Sequence, residues 1–393
     1  MGITTPDTNT SAKADTNAST TSSSAATNNA ISTSTSGSVD TSATEITAAV
    51  GTKMPHRFMG GSGLLVSALA LGSWNVYNDT FGVDQVYDIA TRAFAHGVNF
   101  FDNAEGYGAG MAETVLGQVV HRGIKNGVWS REDLVLTTKI FLGTEQGPNN
   151  MGLSRKHIIE GTRASLKRMQ LDYVDVLFCH RSEPYTPIEE IVRAMNFCIE
   201  KGWAFYWGTS DWSSHDIMQA CEIAERLKFI RPVIDQAKYS IFDRYTVEHD
   251  YELLYQKYDF GLSIFSPMSV GILTGKYADG VKPGMRLSHP LYKTMIPDLA
   301  QRIEKAKDLH IFAEQELQCT LPQLALAWAV SNPRCSNVLV GVSSVKQVDE
   351  NMKALQVMTK LTPEVRARID EIIDYKPELP VQDSFPLLRS KYL

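Results

Sequence analysis

No run of about 18 apolar residues occurs anywhere in the chain, so a membrane-spanning helix is not expected. Basic residues are not in excess either: 38 Lys and Arg stand against 44 Asp and Glu, for a formal charge of −6. That balance gives no electrostatic grip on nucleic acid. Cysteine is scarce. Cys179, Cys198, Cys221, Cys319 and Cys335 are odd in number, widely spaced and without a CxxC, so neither a disulfide framework nor a zinc site follows. They read as reduced thiols of a cytoplasmic protein. Residues 1–52 lack aromatics and carry one basic residue, Lys13, among Ser, Thr, Ala and Asn. Such a segment cannot bury enough apolar surface to offset its ordering entropy, and it reads as a disordered tail before a folded domain over 53–393. It has neither the apolar core of a signal peptide nor the arginines of a transit peptide. Pro6 stands where myristoylation at Gly2 wants Ser or Thr, and the terminal SKYL is not the peroxisomal tripeptide. The expectation is a soluble protein.

A dinucleotide-binding glycine turn is also missing. The nearest match, GGSGLL (60–65), lacks the third glycine and a preceding strand. A short hairpin over HRFMGGSGLLVSAL suits those glycines better. What is present is an alternation. Short apolar runs at 66–73, 98–104, 133–140, 174–180, 204–210, 232–240, 261–268 and 336–343 are separated by amphipathic stretches such as SRKHIIEGTRASLKRMQ and EEIVRAMNFCIEKG. In the second stretch Ile191, Met195 and Cys198 share a face, with Ile199 beside them. Strands buried on both faces and alternating with helices imply a parallel sheet, and a count of eight favours a closed (β/α)8 barrel over a doubly wound sheet. The length of 393 residues accommodates one.

In such a barrel, reacting groups sit where strands end at the C-terminal face. Asp102 ends the second strand, in FFDNAEGYGAG, and Tyr107 follows on its loop; Lys139 ends the third and His180 the fourth. Each alone is ordinary, but four ionisable groups at one end of three consecutive strands form a set. A tyrosine is a poor acid at neutral pH, and an ammonium beside it is expected to lower its pKa. A carboxylate keeps that ammonium charged, and a histidine across the pocket can hold a carbonyl oxygen. The set suits protonation of an oxygen that turns negative as hydride arrives. His180 with Glu183, or His157 with Glu160, has helical spacing but no further ligands in view, so no metal is expected. The hydride donor's phosphates belong on the loops after the last two strands, where Lys276, Arg286 and the helix start in GVSSVKQVDEN lie. Ser344 and Gln347 also fit a capping box.

The chain resembles the aldo-keto reductase superfamily, most nearly its voltage-gated potassium channel β-subunit branch, over roughly residues 56–375. The resemblance runs through LALGSW, FFDNAEGYGAGMAETVLG, TTKIF, GLSRKHIIEGTRASLKRMQLDYVDVLF, TPIEEIVRAMN, YWGTSDWSS, FSPMSVGILTGKY, TLPQLALAWAV and VLVGVSSVKQVDEN. It implies a catalytic tetrad of Asp102, Tyr107, Lys139 and His180, with Tyr107 as acid, and NADPH/NADP+ as cofactor. By the same resemblance, Ser210 and Gln236 meet the nicotinamide carboxamide, and Ser73, Trp74, Asp102 and Phe265 belong to the cofactor site. Ser266, Pro267, Met268 and Lys276 line the pyrophosphate; Arg286, Ser343 and Gln347 read the 2′-phosphate, Glu350 and Asn351 meet the adenine, and Gly341 belongs to the cofactor site. Tyr239 gains no role.

Three residues depart from the channel-subunit pattern. His180 replaces an asparagine, Asp211 an arginine, and Phe265 a tryptophan. The histidine favours an NADPH-dependent reductase of small aldehydes or ketones over a regulatory potassium channel β subunit using the cofactor as a redox sensor. A homotetramer is implied by resemblance, and the amino-terminal segment lacks the apolar cluster and basic residues of a pore plug. Trp74, Tyr77, Phe141 and Trp212 are candidates to line the substrate pocket.

Overall fold

The computed structural model describes residues 53–74 and 81–377. The Ser/Thr-rich stretch over 1–52 and the candidate Tyr77 lie outside the described residues. The chain opens with the expected hairpin: β1 (His56–Phe58) pairs antiparallel with β2 (Leu65–Ser67). Eight parallel strands then close a barrel in sequence order. They are β3 (Leu69–Gly72), β4 (Phe100–Asp102), β5 (Val135–Ile140), β6 (Val174–Cys179), β7 (Ala204–Ser210), β8 (Ile234–Lys238), β9 (Gly261–Phe265) and β10 (Cys335–Val340). The seam is closed by β10 pairing with β3, Val338 opposite Leu69.

Each expected apolar run contributes a barrel strand, with two instructive differences at the ends. The run 66–73 divides at Ala68, whose N–H donates to Pro55 O at 2.9 Å, so its first residues serve the hairpin and the rest the barrel. The run 98–104 keeps only three strand residues. Asn99 instead spends its side chain accepting from Ser67 N–H at 2.8 Å, and the Asn103 carbonyl accepts from Lys139 at 2.8 Å. Side-chain partners took residues that periodicity alone assigns to the strand.

The hairpin closes the N-terminal end of the barrel. Arg57 donates to the carbonyls of Val330 (2.8 Å) and Cys335 (2.6 Å), at the start of β10. Met59 and Val66 pack with Ala70, Phe100, Val135, Val176, Phe178 and Ile234, an apolar fill that makes this end a core rather than a pore. Truncating a residue such as Phe100 to Ala in that fill costs about 3–5 kcal/mol. The outer layer follows the helical period. Helix α1 (Val83–Ala95) buries Val86, Ile89, Ala90 and Ala93. Helix α2 spans Met111–Lys125 and α3 spans Arg155–Met169, the latter capped by Ser154 Oγ accepting from His157 N–H at 3.2 Å. Helix α4 (Ile188–Glu200) buries Ile191, Met195 and Cys198 as the pattern requires. No helix among the described residues is long and apolar enough to cross a membrane. With one end filled, polar groups gather at the other, where the strands end.

Candidate active site

Strand β4 ends at Asp102 and delivers it to the centre of the open end. Its Oδ2 accepts from Lys139 Nζ at 2.6 Å, and its Oδ1 accepts from Thr137 Oγ1 and Gln236 Nε2, both at 2.9 Å. Lys139 is fully buried, yet its ammonium wastes no donor. It also donates to the Asn103 carbonyl at 2.8 Å and to the Tyr107 hydroxyl oxygen at 3.3 Å. Because the phenol oxygen accepts there, its own O–H is left over. Among the described residues no group accepts it, so the proton is available to a ligand.

The loop carrying Tyr107 owes its shape to YGAG. Gly108, Ala109 and Gly110 have φ of 57°, 51° and 90°, three left-handed residues in succession. Glycine adopts that conformation freely, whereas Ala109 does so at a cost of roughly 1–2 kcal/mol. The coil brings Tyr107 back over the strand ends and starts α2 at once. His180, just after β6, sets its ring 5.7 Å from that of Tyr107, at 74° between planes. On another side Trp74, 60% exposed, stands edge-on at 5.0 Å. Asp102, Tyr107, Lys139 and His180 are therefore brought together. Phe141 is half-buried beside them in sequence order, but Trp212 is 2% exposed in the main core rather than at an open wall.

The electrostatics differ from the sequence expectation in one respect. The sequence predicts that Lys139 lowers the Tyr107 pKa; instead burial, reinforced by the Asp102 carboxylate, holds it well above 10, with Arg181 opposing. Burial also lowers the Lys139 pKa, and Asp102 works against that fall. The reason for the difference is depth, which sequence adjacency does not show. His180 is driven well below 6.5 by burial and then by the charges of Lys139 and Arg181. The pocket thus presents a protonated phenol and a neutral imidazole, whose Nδ1 is buried without a partner. Among the described residues no group of His, Cys, Asp and Glu is arranged to hold a metal, and His157 turns its Nε2 to Glu105 at 2.9 Å.

Beside the tetrad, Ser210 Oγ donates to the Gln236 carbonyl and accepts from Arg181, both at 3.0 Å. Ser73 Oγ donates to Asn103 Oδ1 at 3.0 Å. Arg181, not singled out in the sequence, lies 5.7 Å from the Phe265 ring and 3.9 Å from the Asp211 carboxylate. Beyond Phe265 the backbone is strained: Ser266, Ser269, Val270 and Gly271 have φ of 56°, 45°, 57° and 97°, spanning Pro267 and Met268. A β-branched residue such as Val270 rarely sits there, and such strain concentrates where backbone must meet a ligand. A buttress missed by sequence reading supports this loop. Asp243 accepts from Lys238 and Arg302 at 2.9 Å each and from Ser269 at 3.4 Å.

Lys276 and Arg286 form no ion pair with a carboxylate among the described residues. Burial and the Arg286 charge together depress the Lys276 pKa. Two neighbouring cations without an acid fit an anion such as a phosphate. On the last connection, helix α5 (Val345–Met352) follows Ser344, whose hydroxyl accepts from Gln347 N–H at 3.3 Å. The expected capping box is only half made. Gln347 Oε1 accepts from Ser343 N–H (2.8 Å) and Oγ (3.1 Å) instead of from Ser344 N–H. Gly341, Ser343 and Gln347 are exposed, Glu350 pairs with Lys353 at 2.9 Å, and Asn351 is buried. The two cations without a carboxylate partner and the exposed Ser343 along this rim suit an anionic, phosphate-bearing ligand.

The profile of the aldo/keto reductase family matches residues 68–374. An Arabidopsis thaliana protein named "Probable voltage-gated potassium channel subunit beta" is 45% identical over 83% of this chain and 99% of its own length. An Oryza sativa subsp. japonica protein of the same name is 43% identical over 83% of this chain and 98% of its own. A Schizosaccharomyces pombe protein also named for such a subunit is 44% identical over 82% of this chain and 94% of its own.

Proposed function

The chain belongs to the aldo/keto reductase family, and from that premise we propose that it reduces aldehydes or ketones to alcohols with NADPH, Tyr107 giving the proton. When bound, NADPH supplies the hydride. Lys276 would line the pyrophosphate with Ser266, Pro267 and Met268, while Arg286, Ser343 and Gln347 would read the 2′-phosphate, with Gly341 beside the cofactor. Glu350 and Asn351 would take the adenine. Ser210 and Gln236 would hold the carboxamide, beside Ser73, Trp74, Asp102 and Phe265.

The observation that carries the reading is the free O–H of Tyr107, whose oxygen accepts from Lys139 Nζ at 3.3 Å while a neutral His180 ring stands 5.7 Å away. In the ground state the raised Tyr107 pKa keeps the proton on the phenol. His180 donates a hydrogen bond to the substrate carbonyl oxygen and aims it at Tyr107. As that oxygen gains negative charge, Tyr107 gives up its proton and the O–H bond of the alcohol forms. Lys139 stabilises the phenolate left behind, and Asp102 balances the ammonium. The proton on Tyr107 is then restored from solvent. The direct test is steady-state consumption of NADPH with 4-nitrobenzaldehyde: many cycles per protein support the proposal, and no aldehyde-dependent consumption contradicts it.

A second reading is favoured by the names of the relatives. It makes the chain a homotetrameric β subunit that binds a potassium channel and senses redox state through its cofactor. Co-purification with a channel, together with absent turnover, would place it first.

A further inference from the structure

Between Asp102 and Tyr107 lies a carboxylate that the proton transfer does not use. Glu105 is 1% exposed. Its Oε1 accepts from Phe141 N–H at 2.7 Å and from Gly143 N–H at 2.9 Å, and lies 2.9 Å from His157 Nε2 on α3. Its own N–H donates to the Lys139 carbonyl at 3.1 Å. One residue thus ties the Tyr107 loop to the exit of the strand that carries Lys139. The contact is tight: a Cβ on the adjoining Gly106 would stand 2.6 Å from Leu142 Cβ.

The segment held in this way, residues 141–153, is closed on itself by Gly152 N–H donating to the Phe141 carbonyl at 2.7 Å. Its far end is held by a second carboxylate. Glu183, three residues beyond His180, accepts from Leu153 N–H at 2.6 Å and from Thr186 Oγ1 at 2.8 Å. The loop therefore spans the two catalytic segments, keyed by Glu105 to the Tyr107 side and by Glu183 to the His180 side.

We propose that Glu105 is a positioning residue, which through the 141–153 loop fixes the Tyr107 hydroxyl against Lys139 and His180. The proposal rests on the reading of Tyr107 as proton donor. Its chemistry is acceptance, not proton transfer: one oxygen gathers two backbone N–H groups and a histidine ring, and loses all three if truncated. The loop is then free to shift, and a displacement of about 1 Å at reacting atoms can cost 10²-fold.

The test is single-turnover oxidation of bound NADPH by 4-nitrobenzaldehyde in Glu105→Ala, Glu105→Asp and Glu105→Gln, each alone and combined with Tyr107→Phe. Glu105→Ala is expected to slow the step about 10–100-fold, with NADPH affinity within about twofold of wild type. Glu105→Asp, one methylene short, is slow as well. Glu105→Gln, which keeps the accepting oxygen, stays within about threefold. Over Tyr107→Phe the Glu105→Ala loss should vanish, because a residue acting only through Tyr107 has nothing left to position. An equal loss in both backgrounds overturns the proposal, as does a Glu105→Ala rate near wild type. If Glu105→Ala does not fold, Asp slow and Gln fast is the pattern required, and equal rates overturn it. A Tyr107→Phe rate equal to wild type overturns the donor assignment itself, a result distinct from an additive Glu105 loss.

Discussion

The two ends of the candidate site are built on opposite plans. At the tetrad end the side chains are almost wholly buried, and the ion pair at its centre is already satisfied: Asp102 accepts from Lys139, Thr137 and Gln236 at 2.6–2.9 Å. At the phosphate end, the cations Lys276 and Arg286 lack a carboxylate partner among the described residues, on a connection whose backbone is left-handed at Ser266, Ser269 and Val270. One end needs nothing from a ligand to hold its shape. The other holds charge and strain in reserve for an anion. The contrast matches a division of labour in which proton chemistry needs preorganisation and cofactor binding needs affinity.

The comparison can be broken most sharply at the phenol. Tyr107→Phe should cut turnover about 10²–10⁴-fold while NADPH still binds, checked by turnover beside a fluorescence titration. Turnover within a few-fold of wild type would remove Tyr107 from the mechanism. Next comes Lys139→Met. It leaves the Asp102 carboxylate buried without its cation, and the expected loss is about 3–5 kcal/mol of stability, read by urea unfolding. A loss under about 1 kcal/mol would show the ion pair to be incidental, as surface pairs often are.

At the other end, Arg286→Ala should change cofactor choice and leave the fold intact. A charge-assisted contact of about 1.5–3 kcal/mol corresponds to roughly 10–100-fold in the NADPH over NADH affinity ratio. Equal affinities in the unmodified protein would refute the phosphate assignment. The smallest effect is in pH. His180 has its folded pKa lowered below 6.5, so below that pH the unfolded chain binds a proton that the native site refuses. Wild type should therefore lose stability relative to His180→Asn as pH falls from about 7.5 to 5. A difference that stays constant across that range would mean the imidazole is not held neutral.

Legibility in sequence divides along the same line. The tetrad could be read because Asp102, Lys139 and His180 each stop an apolar run, Tyr107 follows on the loop after the first, and a parallel barrel sends all such stops to one face. The long-range contacts that support the site could not: Gln236 reaches Asp102 across 134 residues, and Asp243, under the 266–271 loop, meets Arg302 across 59. Arg181 went unnoticed because a rim arginine has no pattern of its own. The Tyr107 pKa departs from its sequence expectation for a physical reason. Sequence showed the neighbouring ammonium, but burial, the larger cause, is a property of the whole fold. On the last connection, Gln347 caps one residue earlier than the spacing implied. At the phosphate end barrel topology pointed to the loops that carry Lys276 and Arg286, but the assignment of each residue to pyrophosphate, 2′-phosphate or adenine came from resemblance, because side chains on a long loop have no periodicity to betray them.

The central claim is that the tetrad end is assembled for proton delivery, with His180 holding the carbonyl oxygen against Tyr107. The measurement that tests it most directly is single-turnover oxidation of bound NADPH by 4-nitrobenzaldehyde in wild type and His180→Asn, which separates chemistry from cofactor release. An asparagine is shorter and aimed differently, so the variant should be about 10²-fold slower with NADPH binding nearly unchanged. Equal, slow rates in the two proteins would contradict the account and favour the channel-subunit reading.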